Sequence, residues 1–443
     1  MKIKSITPVI LSAVLCLSYM TACGNSENTD KGAEKSGAVS DSQSMQSSRE
    51  LKNSEAEESI EVKQTAADTK VYDKIHKLYI KDSGKNTAIK ATFLNSLSGD
   101  SVDIEMEKSG EDTEGVIFTC EADVTKYNTV HVTYGDKTSK DVSFNSFVSG
   151  WYILDNNLYP YTEGKTTDYT PEFETKKFSY QGEDKNIFIW TPEGYDPDNK
   201  DKYSTIYMLD GQNAFGIIPD IGDGEGIRYN PEKSWNAIQS VSAMMSVTEN
   251  KAVIVGIESG QLTRNDELIP DIGELSLTGI KTKKQGNEFS DFVCDTVMPY
   301  IQENYNVYND ASHNAIAGSS YGGLETFYIC MEHPEKFGAG GILSPSFQMY
   351  NEPEWDSYIA AKSFDEKSPY LYFYSGGFSS DTGKYTEMIY NKMIEVYPKE
   401  SLIFDKNEKG EHNETFWRNI YPEFLEAMFT RKLSAIENGT AVK

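Results

Sequence analysis

Residues 315–325, AIAGSSYGGLE, place one serine between glycines where an apolar run ends and a helix-like run begins. Gly318, Ser320 and Gly322 form a G-x-S-x-G motif. In a sharp strand-to-helix turn this motif exposes the serine hydroxyl above a sheet, and small flanking residues allow the tight backbone. The N-terminus of the following helix favours developing negative charge. We therefore predict that Ser320 is a nucleophile, whereas Ser319 is out of register with the glycines.

A serine hydroxyl is a weak nucleophile at its ordinary pKa and needs a general base. His412 lies in a polar loop after the last strand-like run and before a C-terminal amphipathic helix, where the G-x-S-x-G hydrolases place their base. We predict His412 as the base. The other histidines are interpreted as surface or structural residues: His76, His131, His313 and His333.

The third group of such a site is an acid between the serine and the histidine in chain order. Asp381 lies in the loop just past the strand-like run PYLYFYS and is our predicted acid, which would hold the imidazole tautomer and stabilise the imidazolium. Three other acids are alternatives, because Glu387 lies on the next helix and Asp405 and Glu408 lie nearer the histidine.

A tetrahedral intermediate also needs hydrogen-bond donors for its oxyanion. One predicted donor is the backbone N–H of Tyr321, directly after the serine. The other is the backbone N–H of Gln212 in STIYMLDGQNAFG, where Gly211 permits a tight bend. Taken alone, DGQN is typical of a simple turn.

The elements that would position these groups alternate between strand-like and helix-like segments through residues 163–443. The apolar runs have the length of buried strands, and the segments between them have helical spacing. This alternation predicts a mostly parallel sheet with helices on both faces. The strand-like runs are NIFIWTP, STIYMLD, AVIVGIE, NAIAGSS, GGILSP, PYLYFYS and SLIF, and the clearest helical runs are FSDFVCDTVMPYIQENY and YTEMIYNKMIEVY.

Residues 71–162 contain short alternating runs separated by turn residues, which predicts a small all-β sandwich. The run YNTVHVTYGDKTSKDVSF faintly resembles the closing strands of bacterial starch-binding modules. A carbohydrate-binding role and a role as an immunoglobulin-like spacer or docking domain both remain open. Trp151 and Tyr152 are either a sugar-stacking platform or core residues.

The N-terminus has the features of an export signal. Lys2 and Lys4 precede a short apolar run, and Ala22 before Cys23 resembles a bacterial lipoprotein cleavage site. We predict a signal peptide over 1–22, a lipidated Cys23, and a disordered tether over 23–70 that is too polar to form a core. The chain would then be exported and lipid-anchored, facing the cell exterior, with no other membrane contact.

The formal net charge is −27, which disfavours nucleic acid or an anionic membrane surface as a partner. Cys120, Cys294 and Cys330 are too widely spaced for a disulfide framework and are interpreted as buried free thiols, although Cys294 and Cys330 could pair. No cysteine or histidine spacing indicates a metal, and the acidic glycine loop at 220–226 lacks a recognisable calcium pattern. We predict no cofactor.

Several segments resemble the esterase D-like esterases of the α/β-hydrolase superfamily, whose relatives include feruloyl, acetyl-xylan and siderophore esterases and S-formylglutathione hydrolases. The resemblance covers roughly residues 165–435 and implies an α/β-hydrolase fold and a serine hydrolase. By this resemblance the family's serine, histidine and post-nucleophile amide correspond to Ser320, His412 and Tyr321. Arg264 and Glu267 match a family pattern near the pocket, and they either contact substrate or form a surface ion pair. The segments are TPEGYD, YMLDGQNAF, VGIESGQLTRNDELIP, AGSSYGGLETFYICMEHPEKFGAGGILSPSF and GEHNETFW.

Together these features predict an extracellular serine carboxylic-ester hydrolase that removes feruloyl or acetyl groups from plant polysaccharide or oligosaccharide esters. Two alternatives are a siderophore ester hydrolase and a non-catalytic surface glycan-binding lipoprotein.

Overall fold

The computed structural model describes residues 75–83, 86–95, 99–123, 126–127, 129–144, 150–154, 157–161, 172–218, 228–230, 233–260, 262–277, 279–377 and 380–429. They all fall within one compact unit, Thr65–Lys443. The predicted signal peptide, the lipidated Cys23, the tether over 23–70 and the loop at 220–226 lie outside the described residues. No described helix combines the length and the apolar character needed to cross a membrane.

The N-terminal part of the described chain forms two facing sheets. One has the strand order β10-β9-β1-β5-β4, and the other has the order β3-β2-β6-β7 with β8 also paired to β6. Burial alternates along β2 and β6, so that every second side chain enters the shared core. The strands are β1 (Ile75–Asp82), β2 (Lys90–Leu94), β3 (Ser101–Glu105), β4 (Glu107–Glu111), β5 (Val116–Asp123), β6 (Thr129–Tyr134), β7 (Lys137–Thr138), β8 (Val142–Ser143), β9 (Gly150–Leu154) and β10 (Asn157–Pro160).

Trp151 packs in this core and is only 3% exposed. The interpretation of Trp151 as part of a sugar platform is therefore wrong, because its ring has no free face to offer a sugar.

The second part of the chain is built on an eight-stranded sheet with the order β11-β12-β16-β13-β17-β18-β19-β20. The pairs from β16 to β20 are parallel, and β11 and β12 are antiparallel. A small hairpin, β14 (Ile217–Ile218) with β15 (Arg228–Tyr229), stands apart from this sheet. The sheet strands are β11 (Glu174–Tyr180), β12 (Glu183–Trp190), β13 (Ser204–Leu209), β16 (Ala252–Ile257), β17 (Asn314–Ser319), β18 (Ala339–Leu343), β19 (Tyr370–Ser375) and β20 (Leu402–Lys406).

Helices cover both faces of this sheet, so its central strands are buried on both sides. Along β13, for example, Ile206 and Met208 join one apolar cluster, while Tyr207 and Leu209 join the other. The described helices are α1 (Gly211–Ala214), α2 (Ala237–Val247), α3 (Arg264–Glu267), α4 (Gly286–Phe292), α5 (Met298–Asn304), α6 (Tyr321–Glu332), α7 (Glu352–Ala360), α8 (Gly383–Val396) and α9 (Glu414–Ala427). A π-helical turn, Val293–Val297, joins α4 to α5.

The predicted α/β-hydrolase fold with a mostly parallel sheet and a preceding β-sandwich is confirmed. The sandwich lies against the sheet face that carries α2 and α9, and its core residues join the apolar cluster of that face. This placement brings the sandwich close to the C-terminal helix that follows His412.

Free thiols are present at Cys120, Cys294 and Cys330, so the alternative of a Cys294–Cys330 disulfide is wrong. Burial raises the pKa of the Cys120 thiol to about 12 and raises that of Cys294 as well. Neither thiol is poised to ionise near neutral pH, which fits a packing role.

Candidate active site

Ser320 is the single residue between β17 and α6. Its backbone has φ 60° and ψ −120°, a left-handed conformation that costs a non-glycine residue free energy. The neighbouring glycines make the turn possible, since a side-chain carbon at Gly318 would lie 2.5 Å from the carbonyl oxygen of Gly322. The chain therefore holds a strained turn with the serine at its apex, as in a nucleophile elbow.

Exposure separates the two adjacent serines. Ser319 ends β17 and is 2% exposed, whereas Ser320 is partly exposed. Of these two hydroxyls, that of Ser320 is the one that solvent or a substrate reaches.

Asp381 and His412 are brought together from two loops at the same end of the sheet. Asp381 lies between β19 and α8, His412 lies between β20 and α9, and His412 Nδ1 is 2.7 Å from Asp381 Oδ1. The Asp381 side chain is 0% exposed, and that of His412 is 34% exposed. The carboxylate is thus shielded from water, while the imidazole stays accessible.

The Asp381 carboxylate is surrounded by donors. Besides His412, it accepts hydrogen bonds from Ser344 Oγ at 2.6 Å, Gly376 N–H at 2.6 Å and Thr382 N–H at 2.7 Å. Burial acts to raise the pKa of Asp381, but the hydrogen bonds from His412 and Ser344 outweigh it and hold the pKa below its ordinary value. Asp381 is therefore a carboxylate at neutral pH.

The three alternative acids have other partners. Asp405 is half-buried and accepts from Tyr372 Oη at 2.7 Å. Glu387 and Glu408 both pair with Lys406, at 3.5 and 2.9 Å. In the described structure, His412 is hydrogen-bonded through its ring to Asp381 and to none of these acids.

The turn after β18 connects Ser320 to the Asp381–His412 pair. Leu343 O accepts from Ser320 N–H at 3.0 Å, and Ser346 N–H donates to Ser320 O at 3.0 Å. Between them, Ser344 donates to Asp381. The Ser320 hydroxyl lies 3.4 Å from Ser346 Oγ, and no hydrogen bond joins it to His412 within the described part of the chain. Such bonds are often long in substrate-free enzymes and tighten with substrate.

The loop of the second predicted oxyanion donor is fixed in three ways. Gly211 packs against the backbone of Gly256, where a side chain would not fit. Gln212 Oε1 accepts from Ser259 N–H at 3.2 Å. The oxyanion role of the Gln212 backbone N–H stays a prediction. Asp210, at φ 53°, approaches Gly322 closely and thereby places this loop beside the start of α6.

Arg264 and Glu267 do not pair with each other. Arg264 forms a bidentate ion pair with buried Asp210, with both N–O distances 2.7 Å, and its guanidinium lies 5.4 Å from the ring centroid of Tyr321. Glu267 is 5% exposed and pairs with buried Lys185 at 2.8 Å. The alternative of a surface ion pair between Arg264 and Glu267 is wrong, because Arg264 pairs with Asp210 and Glu267 pairs with Lys185.

Sequence reasoning missed four residues at this site: Asp210, Ser344, Ser346 and Trp417. Trp417 packs edge-on against His412, with ring centroids 5.0 Å apart, and its Nε1–H donates to Ser344 Oγ at 2.9 Å. The signals available were the serines in GGILSPSF and the tryptophan five residues after His412.

The remaining histidines whose side chains are described have local partners. His131 Nδ1 lies 2.9 Å from Asp141, and His313 Nδ1 lies 2.8 Å from Asp310 and stacks on Tyr308. His333 lies 3.8 Å from Glu335. Among the described residues no group of His, Cys, Asp and Glu side chains could hold a metal ion.

Comparison with known proteins identifies a family for this chain. Residues 179–420, more than half of the chain, match the model of the Esterase family, which is described as "Putative esterase".

Three individual proteins show the range of similarity. The endo-1,4-beta-xylanase/feruloyl esterase of Xylanibacter ruminicola is 34% identical over 90 residues, which are 20% of this chain and 12% of that protein. The uncharacterized protein YbbA of Bacillus subtilis is 23% identical over 171 residues, which are 38% of this chain and 60% of YbbA. This chain therefore spans less than two thirds of either relative. The solved enterobactin esterase FES from Shigella flexneri has a TM-score of 0.45 and 13% identity, over 81% of this chain and 94% of that chain.

Proposed function

The chain belongs to the Esterase family, and from that membership we propose that it is a serine carboxylic-ester hydrolase with Ser320, His412 and Asp381 as its catalytic residues. The observation that carries the proposal is the 2.7 Å contact of His412 with a buried carboxylate that shares the turn after β18 with Ser320. That arrangement has a nucleophile, an accessible base and a group that orients the base.

In this mechanism Ser320 Oγ attacks the ester carbonyl while His412 Nε2 accepts the hydroxyl proton. Asp381 keeps the other imidazole proton on Nδ1 and stabilises the imidazolium. The N–H groups of Tyr321 and Gln212 bind the developing oxyanion. The alcohol leaves with the proton from His412, and a water activated by His412 then hydrolyses the acyl group from Ser320.

For the substrate, we propose feruloyl or acetyl esters of neutral plant polysaccharide or oligosaccharide. The local similarity to a protein named as an endo-xylanase/feruloyl esterase supports this class. The net charge of −27 also favours a neutral carbohydrate over a polyanion.

We further propose that Cys23 is lipidated after removal of residues 1–22 and that the chain acts outside the cell. Metabolic labelling with a fatty-acid probe, compared between the natural chain and Cys23→Ala, tests this. Equal labelling of both chains would contradict it.

The catalytic proposal is tested with the full chain and a panel of feruloylated oligosaccharides, acetylated xylan and cyclic triester siderophores. Ser320→Ala should lower kcat by about 10⁶-fold if the three residues act as a unit, with Ser319→Ala as the matched control. A fluorophosphonate probe should label the natural chain and Ser319→Ala but not Ser320→Ala. Ester hydrolysis that survives in Ser320→Ala would refute the assignment, and a natural chain without labelling would favour the non-catalytic glycan-binding alternative.

A further inference from the structure

Helix α9 touches the catalytic pair on one side and the β-sandwich on another. Trp417 contacts the His412 ring and donates to Ser344. The next two residues contact the sandwich, since the Arg418 guanidinium lies 4.5 Å from the ring centroid of Tyr159 and Asn419 Nδ2 donates to Asp141 O at 2.9 Å. Successive helical residues are about 100° apart, so one helical turn presents both surfaces.

The contact with the sandwich is buried. Arg418 is 2% exposed and Tyr159 is 1% exposed. A cation held over an aromatic ring away from water gains about 2 kcal/mol or more. This contact therefore favours one position of α9 against the sandwich.

The start of α9 in turn helps to hold His412 in place. Asn413 caps the helix, and its side chain accepts from the N–H groups of Thr415 at 3.1 Å and Phe416 at 3.3 Å. His412 directly precedes this cap, so its backbone follows the helix. Trp417 also orients the Ser344 hydroxyl, because an indole N–H only donates and so leaves the hydroxyl proton of Ser344 for Asp381.

We propose that the β-sandwich is a positioning element of the catalytic site, which acts through α9 on His412 and Asp381. Tyr159 and the backbone of Asp141 hold α9, and α9 holds the imidazole, the Ser344 hydroxyl and thereby the Asp381 carboxylate. This inference rests on the proposed roles of His412 and Asp381. It assigns the sandwich an effect on turnover itself, whereas a carbohydrate-binding sandwich would act on polymer capture.

The test compares a small soluble ester with a polysaccharide ester, using full-length Tyr159→Leu. A misplacement of about 1 Å costs about 10²-fold, so we expect kcat to fall ten- to a hundredfold on both substrates with KM nearly unchanged. The pH profile of kcat/KM should shift as well, because the hydrogen bond of His412 to Asp381 is disturbed. Loss confined to the polysaccharide, or a kcat within twofold of the natural value on both substrates, would overturn the proposal.

A matched control separates positioning from general loss of stability. Phe93 is fully buried in the sandwich core, where its ring packs against that of Phe144, so Phe93→Leu changes the core without removing the contacts of Tyr159 and Asp141 with α9. It should lower the melting temperature but leave kcat unchanged at temperatures where the chain is folded. A kcat loss in Phe93→Leu equal to that of Tyr159→Leu at equal stability would refute the inference.

A milder variant serves if Tyr159→Leu does not fold. Asn419→Ala removes one hydrogen bond at a partly exposed position, and we expect a few-fold loss of kcat. The proton resonance of His412 Nδ1–H, observed by NMR, gives a readout that needs no substrate and should move in Asn419→Ala but not in Phe93→Leu. An unmoved resonance together with an unchanged kcat in Asn419→Ala would contradict this proposal. Absence of esterase activity in the natural chain would instead refute the proposed function.

Discussion

Replacement of Asp381 by asparagine is the sharpest test of how the buried carboxylate works. Its two oxygens receive four donors: Oδ1 faces His412 and Thr382 N–H, and Oδ2 faces Ser344 and Gly376 N–H. Asparagine has one oxygen and one NH₂ group in the same shape. Either orientation of the amide therefore points its NH₂ group at two groups that donate in the native structure.

The size of the effect follows from these contacts. With NH₂ towards His412, the imidazole must accept at Nδ1 and carry its proton on Nε2, which then cannot take the proton of Ser320. The corresponding change in another serine hydrolase lowers kcat by about 10⁴-fold, and we expect the same order here. In either orientation one backbone N–H, of Thr382 or of Gly376, is left buried without an acceptor, at a cost of about 1–3 kcal/mol in the free energy of unfolding.

The loss of stability should depend on pH. The pKa of Asp381 is lowered on folding, so its contribution is fully present above the unfolded-state pKa and is lost as the pH falls through the folded-state pKa. The assay is kcat on a small ester at pH 7, with urea unfolding at pH 7 and below pH 3. A kcat within tenfold of the natural value in a folded Asp381→Asn chain would refute the reasoning, as would an equal stability loss at both pH values.

Three further changes test other parts of the structure. Gly318→Ala would force a side-chain carbon against Gly322 O, so we expect loss of esterase activity and a fall in melting temperature, whereas Gly110→Ala, with only ordinary contacts, should leave activity intact. Glu325 is fully buried, neither carboxyl oxygen has a hydrogen-bond partner in the described structure, and burial raises its pKa well above the ordinary value. The folded state keeps the carboxyl proton of Glu325, so stability should fall as the pH rises above about 4.3. Glu325→Met should therefore raise the free energy of unfolding by about 1–3 kcal/mol at pH 7 and by less at pH 4. Equal gains at both pH values in urea unfolding would contradict this. Glu267→Gln leaves Lys185 buried without its counter-ion and should cost about 3 kcal/mol in urea unfolding, with no change in KM if Glu267 is purely structural.

Strong local patterns made most of the eight-stranded sheet and its helices predictable. The apolar runs around Tyr207, Val255 and Phe373 are buried strands, because parallel strands covered on both faces need continuous apolar sequence. Strand β11 was not predicted, since it lies at the sheet edge and only one of its seven residues is buried. Its sequence ETKKFSY has no apolar run to signal a strand.

The parts of the candidate site also differ in how far the sequence predicts them. The turn at Ser320 is encoded within five residues, and so sequence alone indicates it. The contacts of Ser344 with Asp381 and Trp417 join positions 37 and 73 residues apart, and no local pattern reports them. The pairing of Arg264 with Asp210 spans 54 positions, which is why the nearby Glu267 was the apparent partner in sequence.

The docking of the sandwich on α9 has a consequence for the order in which the chain is completed. The hydrogen bond between Asp141 and Asn419 closes a loop of 278 positions, so the sandwich, which is synthesised first, meets its partner helix only after the entire eight-stranded sheet has been made. Until then, the ring of Tyr159 lacks its Arg418 cation. His412 and Trp417 arrive in that same late segment. With the proposed catalytic residues, an incomplete chain has an elbow serine but no base beside it. Ester hydrolysis would then begin only in the step that also closes the contact between the first and last parts of the described fold.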